Sequence, residues 1–165
     1  DPLRDEMSHA VADGGAFLNK EKIHVTQRDS MKGALLATGF PFRAHGRLKE
    51  YLRSLETFIL ETAGIRRAGS ASLDLCYTAC GRYDGFWEVG LSRWDIAAGV
   101  LLVEEAGGAV SDVAGGTSFL ESGDLVAFRQ EPSADEPPVF HLLIAVKPAD
   151  RAHHDVQVVR LSPVS

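Results

Sequence analysis

The stretch over residues 85–108, GFWEVGLSRWDIAAGVLLVEEAGG, constrains the fold more than any other part of the chain. RYDGFWEVG reads as a strand carrying aromatics. SRWDIAAGVLLVEEAGG then reads as a helix from about Ser92, closed by Gly107-Gly108. A strand that passes straight into a helix must bury one face of each against the other. Repeated along a chain, that unit gives α/β layering.

The neighbouring segments repeat it. GALLATGFPF predicts a short buried strand over residues 34–38, leaving through a Gly-Phe-Pro loop. GRLKEYLRSLETFILETAG places Leu48, Leu52, Leu55, Ile59 and Leu60 at helical spacing and ends at Gly64. IRRAG predicts a short strand entering a turn. SASLDLCYTACG predicts a helix with Ser70 or Ser72 as N-cap and Gly81 as its stop. AVSDV and DLVAF predict further short strands. At the start, RDEMSHAVADGGAFLNKEKIHVT predicts a hairpin with arms over 7–12 and 16–25 about an Asp13-Gly14-Gly15 turn, an antiparallel addition. RQEPSADEPP is acidic and Pro-rich and reads as a linker or exposed loop. VFHLLIAVKP and DVQVVRLSPVS are strand candidates beyond it. No internal repeat is present.

With 165 residues, 45% of them apolar, the chain can bury one ordinary core, and a single domain is expected. The formal charge of −6 leaves no basic excess to track a phosphate backbone, which argues against nucleic acid as a partner. No apolar run approaches the roughly 20 residues of a membrane-spanning helix, and no signal peptide is visible. Cys76 and Cys80 fall on one helix face. They read as small buried thiols rather than half a zinc site, since no second Cys or His pair stands at ligand spacing. A reducing, cytoplasmic compartment fits them.

Asp95 has two readings. In the first turn of its helix a carboxylate meets free amides and the positive end of the dipole, so it can be a cap. It can also be one ligand of a site completed elsewhere. Trp94 before it fixes the approach of the chain. Ala97, Ala98 and Gly99 after it leave little side-chain bulk, so a backbone or ligand can come close. Glu88 ends the preceding strand. Acids at a strand end and at the next helix start can face one cleft, suited to a hard cation such as Mg²⁺ or to a hydroxyl-rich substrate. Gly69-Ser70-Ala71 opens a helix whose amides can hold an anion or a hydroxyl oxygen, or is a plain capping turn. His153-His154 reads as a solvated pair, Phe86 and Trp87 as core, and Glu104-Glu105 as a solvated helix face. Asp74 is expected to face solvent or a neighbouring helix, with no role.

GSASLDLCYTACGRYDGFWEVGLSRWDIAAGVLLVEEAGGAVSDVAGG resembles the C-terminal half of inositol monophosphatases. The W-D-x-A-A-G signature, Trp94 to Gly99, and its spacing from Gly69-Ser70-Ala71 carry the likeness. DPLRDEM…GGAFLN and ATGFPFR extend it over residues 1–127, leaving 128–165 as a divergent acidic, Pro-rich tail. The resemblance implies an α-β-α-β-α sandwich of α/β (α+β layered) class and a Mg²⁺-dependent phosphomonoesterase activity on a small-molecule phosphate. It matches Asp95 to a metal ligand and Glu88 to the glutamate that binds substrate hydroxyls. Gly69, Ser70 and Ala71 match the turn that holds the sugar or inositol ring, and Arg66 matches an arginine close by. A homodimer is also implied.

Two family motifs are not found: a G-D-x-x-E loop and D-P-[IL]-D-G-T-x-N. Asp1-Pro2-Leu3-Arg4-Asp5 has Arg4 where the second needs Asp, and no Gly-Thr follows. The expectation is therefore a C-terminal portion that holds Asp95 alone of the metal carboxylates. Such a portion is inactive by itself and associates with itself or with an N-terminal half. The alternative is a non-catalytic fragment or polyol-binding module. WDIAAG with Glu88 leans toward inositol monophosphate or a similar polyol phosphate.

Overall fold

The computed structural model describes residues 1–28 and 30–129. The strand candidates in VFHLLIAVKP and DVQVVRLSPVS, and His153-His154, lie outside the described residues.

The chain opens with β1 (Ser8–Val11), β2 (Gly15–Leu18) and β3 (Glu21–Lys22), an antiparallel three-stranded sheet. Ser8 faces Leu18 and Val11 faces Gly15 across the expected Asp13-Gly14-Gly15 turn. The expected long second arm instead breaks after Leu18. Asn19 takes φ +55°, and its side chain accepts from the Met7 amide at 2.8 Å and donates to the Asp5 carbonyl at 3.1 Å. Asn tolerates the left-handed region and can satisfy a turn with its own amide, so the chain reverses here and Phe17 pairs with Lys22.

The main sheet follows: β4 (Leu35–Thr38), β5 (Gly64–Arg66), β6 (Gly85–Glu88), β7 (Gly108–Ser111) and β8 (Leu125–Arg129). Its order is β5-β4-β6-β8-β7, with β5, β4 and β6 parallel and the last two antiparallel to their neighbours. The parallel pairs require crossovers, supplied by α1 (Leu48–Glu61) and α2 (Ala71–Ala79). After β6 come α3 (Arg93–Glu105) and the one-turn α4 (Phe119–Ser122), which the sequence patterning does not announce.

Side chains alternate across the sheet, so Phe86 and Trp87 enter different cores. Phe86, Leu125 and Ala127 pack with Leu75, Ile96 and Val103 of α2 and α3, and with Ala16 of the small sheet. Trp87, Leu36 and Val126 pack with Tyr51 and Phe58 of α1. Both aromatics of β6 are core, as expected.

Two features of α1 differ from expectation. Tyr51, Ser54 and Phe58 are its buried residues, while Ile59 and Leu60 are 61% and 77% exposed and Leu48 and Leu52 are also exposed. Phe58 meets Trp87 edge to face at 4.5 Å and Tyr51 stacks on it at 6.2 Å, so the large rings of the sheet select the face that turns inward. The helix ends at Thr62, whose hydroxyl and amide both donate to the Phe58 carbonyl, and Gly64 already begins β5.

Gly99 also takes a different part. A Cβ there would lie 2.4 Å from Cδ1 and 2.6 Å from Cβ of Leu75, so the small residue lets α2 and α3 approach each other rather than admitting a ligand. Glu105 is not a solvated face residue. Its carboxylate accepts from the Asp13 and Gly15 amides, both at 2.7 Å, and ties α3 to the hairpin turn. Among the described residues no helix is long and apolar enough to cross a membrane.

Candidate active site

The three parallel strands end on one side of the sheet, and a cleft of about 350 Å³ opens there. Crevices outside the carboxyl ends of parallel strands are where such sheets take ligands. Gly39 and Phe40 follow β4, Arg67 to Ala71 join β5 to α2, and Glu88 to Leu91 join β6 toward α3; Trp94 and Asp95 line the cleft from the first turn of α3.

Asp95 is a helix cap, and it also stands at the cleft. Its Oδ2 accepts from the Ser92 amide at 3.1 Å, one half of a capping box. Its residue also lines the cleft, and its carbonyl accepts from the Ser72 hydroxyl at 2.9 Å, which fixes the start of α2 against α3. Ser70 is the N-cap of α2, its Oγ accepting from the Leu73 amide at 3.4 Å, and so Ser72 is left to make that cross-link. Gly69, Ser70 and Ala71 all line the cleft.

Glu88 faces the same space. Burial pushes its carboxyl up to about 7, with the nearby Asp74 and Asp95 charges adding to the rise and Arg67 opposing it. At neutral pH Glu88 is divided between its acid and its carboxylate and can donate or accept.

Arg66 and Arg67 divide differently from the sequence expectation. Arg66 is exposed, does not line the cleft, and donates to the Ile65 carbonyl at 3.3 Å. Arg67 lines it, with its guanidinium over the Phe40 and Phe42 rings at 5.1 and 5.4 Å. Phe42, Arg43 and Trp94 complete a rim that sequence reasoning did not single out. Trp94 is 82% exposed, so it borders the cleft rather than anchoring the chain. The signal available for the rim was the Phe-Pro-Phe triplet directly after a buried strand, an unusual place for two exposed rings.

Asp74 also departs from expectation. It is 1% exposed, and neither carboxylate oxygen has a hydrogen-bond partner among the described residues. Burial pushes it up to about 6, against the pull of Arg67. Cys76 and Cys80 are free, half-buried thiols packed against the core.

Hard cations such as Mg²⁺ take about six oxygens. Among the described residues no three His, Cys, Asp or Glu side chains converge. Asp95 offers one carboxylate at the cleft, and Asp74 is sealed in the core. The donor set suits one share of a metal site and does not build a complete one among the described residues.

A family model described as the inositol monophosphatase family matches residues 1–139. The Nus factor SuhB of Pseudomonas aeruginosa is 56% identical over 129 residues, covering 77% of this chain and 48% of the relative. The inositol-1-monophosphatase of Mesorhizobium japonicum is 46% identical over 126 residues, covering 76% of this chain and 47% of the relative. Among solved structures, the extragenic suppressor protein suhB of Bartonella henselae matches with a TM-score of 0.74 at 42% identity, over 78% of this chain and 49% of that one. The chain spans about half the length of the curated relatives it matches.

Proposed function

The chain belongs to the inositol monophosphatase family, and on that premise we propose that it forms the substrate wall and one metal ligand of a Mg²⁺-dependent phosphomonoesterase. The substrate is inositol monophosphate or a similar small polyol or sugar phosphate. The observation that carries this reading is the convergence of Asp95, Glu88 and the Gly69-Ser70-Ala71 turn on one cleft at the ends of the parallel strands.

Mg²⁺, when bound, would activate a water, hold the phosphate and stabilise the leaving alkoxide. In this reading the chain's own residues do the following. Asp95 contributes a carboxylate oxygen to the cation while its Oδ2 also serves the helix cap. The amides at the start of α2, behind Gly69-Ser70-Ala71, receive ring hydroxyls. Glu88 hydrogen-bonds the substrate hydroxyls. Arg67 adds a cation on the cleft wall, next in sequence to Arg66, which ends β5. The family model reaches residue 139, past the 127 expected from sequence, so the divergent tail begins later; in this reading the protein is cytoplasmic and pairs with a second copy or with a segment bearing the remaining carboxylates.

One carboxylate cannot hold Mg²⁺ firmly, so the purified 165-residue chain is expected to show negligible turnover of inositol 1-phosphate at any Mg²⁺ concentration. Supplied with the part of the P. aeruginosa relative that precedes the matched region, it should gain turnover that needs Mg²⁺ and is lost in Asp95→Asn. Asn keeps an oxygen for the Ser92 amide, so the folded state survives the change. Turnover that ignores Mg²⁺ or persists in Asp95→Asn would overturn the assignment. The lone carboxylate also favours a second reading, a non-catalytic polyol-binding module. The P. aeruginosa relative is named a Nus factor rather than a phosphatase. Binding of inositol 1-phosphate unaffected by Mg²⁺, with no gain on complementation, would select that reading.

A further inference from the structure

Gly39 has no backbone reason to be glycine. It is absent from the residues with positive φ, so an alanine could adopt its conformation. What occupies its missing side chain is Glu88. A Cβ built on Gly39 would lie 2.0 Å from the Glu88 carboxyl carbon and 2.1 and 2.2 Å from the two carboxylate oxygens. The register explains the encounter. Leu36 pairs with Gly85, Ala37 with Phe86 and Thr38 with Trp87 in the parallel β4–β6 ladder. The next step of that register sets residue 39 beside residue 88, and neighbours in a parallel ladder project to the same face. With no side chain at 39, the Glu88 carboxylate folds over the end of β4.

We propose that Gly39 is the positioning residue that seats the Glu88 carboxylate for binding a substrate hydroxyl. The inference rests on the functional reading above only in what Glu88 binds. Its structural half, that Glu88 lies where it does because position 39 is empty, stands by itself. The other charged groups facing Glu88 come from separate elements: Asp74 from α2, Asp95 from α3 and Arg67 from the loop before α2. None of them is hydrogen-bonded to it among the described residues, so contact with the Gly39 backbone is the steric constraint on its direction. Any side chain at 39 would turn the carboxylate out of its seat or push the two strand ends apart.

The test is a double-variant cycle on the full chain, Gly39→Ala, Glu88→Ala and both together, read by thermal unfolding and by calorimetric titration with inositol 1-phosphate. Gly39→Ala should lower the unfolding temperature in the parent chain and not in the Glu88→Ala background. Affinity should fall about tenfold in Gly39→Ala, as expected for loss of one hydrogen bond involving a charged group. It should fall similarly in Glu88→Ala and no further in the double variant. Equal destabilisation in both backgrounds, additive losses of affinity, or parent affinity in Gly39→Ala would overturn the proposal. If the parent chain alone does not bind inositol 1-phosphate, the titration is made on the chain supplied with the part of the P. aeruginosa relative that precedes the matched region; no binding there means that the functional reading fails and the stability cycle alone decides the seating of Glu88. In that event an unchanged unfolding temperature in Gly39→Ala overturns the seating as well.

Discussion

Asp74 shows how far a single residue can depart from its local sequence. Its place in the first turns of α2 suggests a carboxylate facing solvent or a neighbouring helix, yet it is 1% exposed and without a partner among the described residues. Its carboxyl is raised to about 6 from 3.8, so the fold prefers the protonated form. The sign follows. The stability this preference contributes is fully present below about pH 4 and is lost as the pH rises through about 6. Asp74→Asn should therefore leave stability nearly unchanged at low pH and raise it above pH 6, by up to about 3 kcal/mol near neutrality. Denaturant unfolding of both chains across the pH range checks it, and a constant difference would refute the burial of a titrating Asp74. Asp95 is the opposite case. Its cap partner Ser92 lies three residues away, so a local motif is enough to single it out. Arg66 and Arg67 fall between the two. Sequence marks a basic pair after β5, but only the Phe40 and Phe42 rings decide which of them stands over the cleft wall.

At the scale of an element, α1 is the instructive helix. Its leucines recur at helical spacing, and apolar spacing was the only available guide to its inward face. The inward face is nonetheless set by Tyr51, Ser54 and Phe58, because the flat faces of Trp87 offer ring-on-ring contacts that a leucine row cannot match. Phe58→Ala should cost about 3–5 kcal/mol through the cavity left against Trp87. Leu60→Ala should stay within roughly 0.5 kcal/mol. Equal losses in chemical denaturation would mean that the leucine row is covered in solution. The β2 arm teaches a related point. Its residues through Val25 have strand character, but Asn19 can enter the left-handed region and satisfy the turn with its own amide, so a third strand replaces the longer arm. By contrast α2 begins at Ser70, one of the two caps open to it in the sequence, and α3 at Ser92, where the sequence starts it, because capping is decided within a few residues.

The described residues form a mixed five-stranded sheet with one core on each face and a small sheet joined to the α2–α3 side. That junction includes a polar clamp, the Glu105 carboxylate on two amides of the hairpin turn. Hydrogen bonds to a charged acceptor contribute about 1.5–3 kcal/mol. Glu105→Ala should thus speed amide hydrogen exchange in β1 and β2 while leaving β4, β6 and β8 protected. Uniform acceleration across both sheets would show instead that the two unfold as one unit. Sequence by itself determined most of the alternation of strands and helices, the glycine stops of α2 and α3, the aromatic core of β6, and the place of Asp95 in the first turn of α3. Each of these is set by bonds and propensities that act within about a dozen residues. Only the tertiary structure decided which face of α1 turns inward, that Asp74 is buried, that Glu105 holds the hairpin, and that Glu88 rests on Gly39. Those outcomes depend on surfaces far apart in the chain, and a side chain's local spacing carries no record of what the opposing surface offers it.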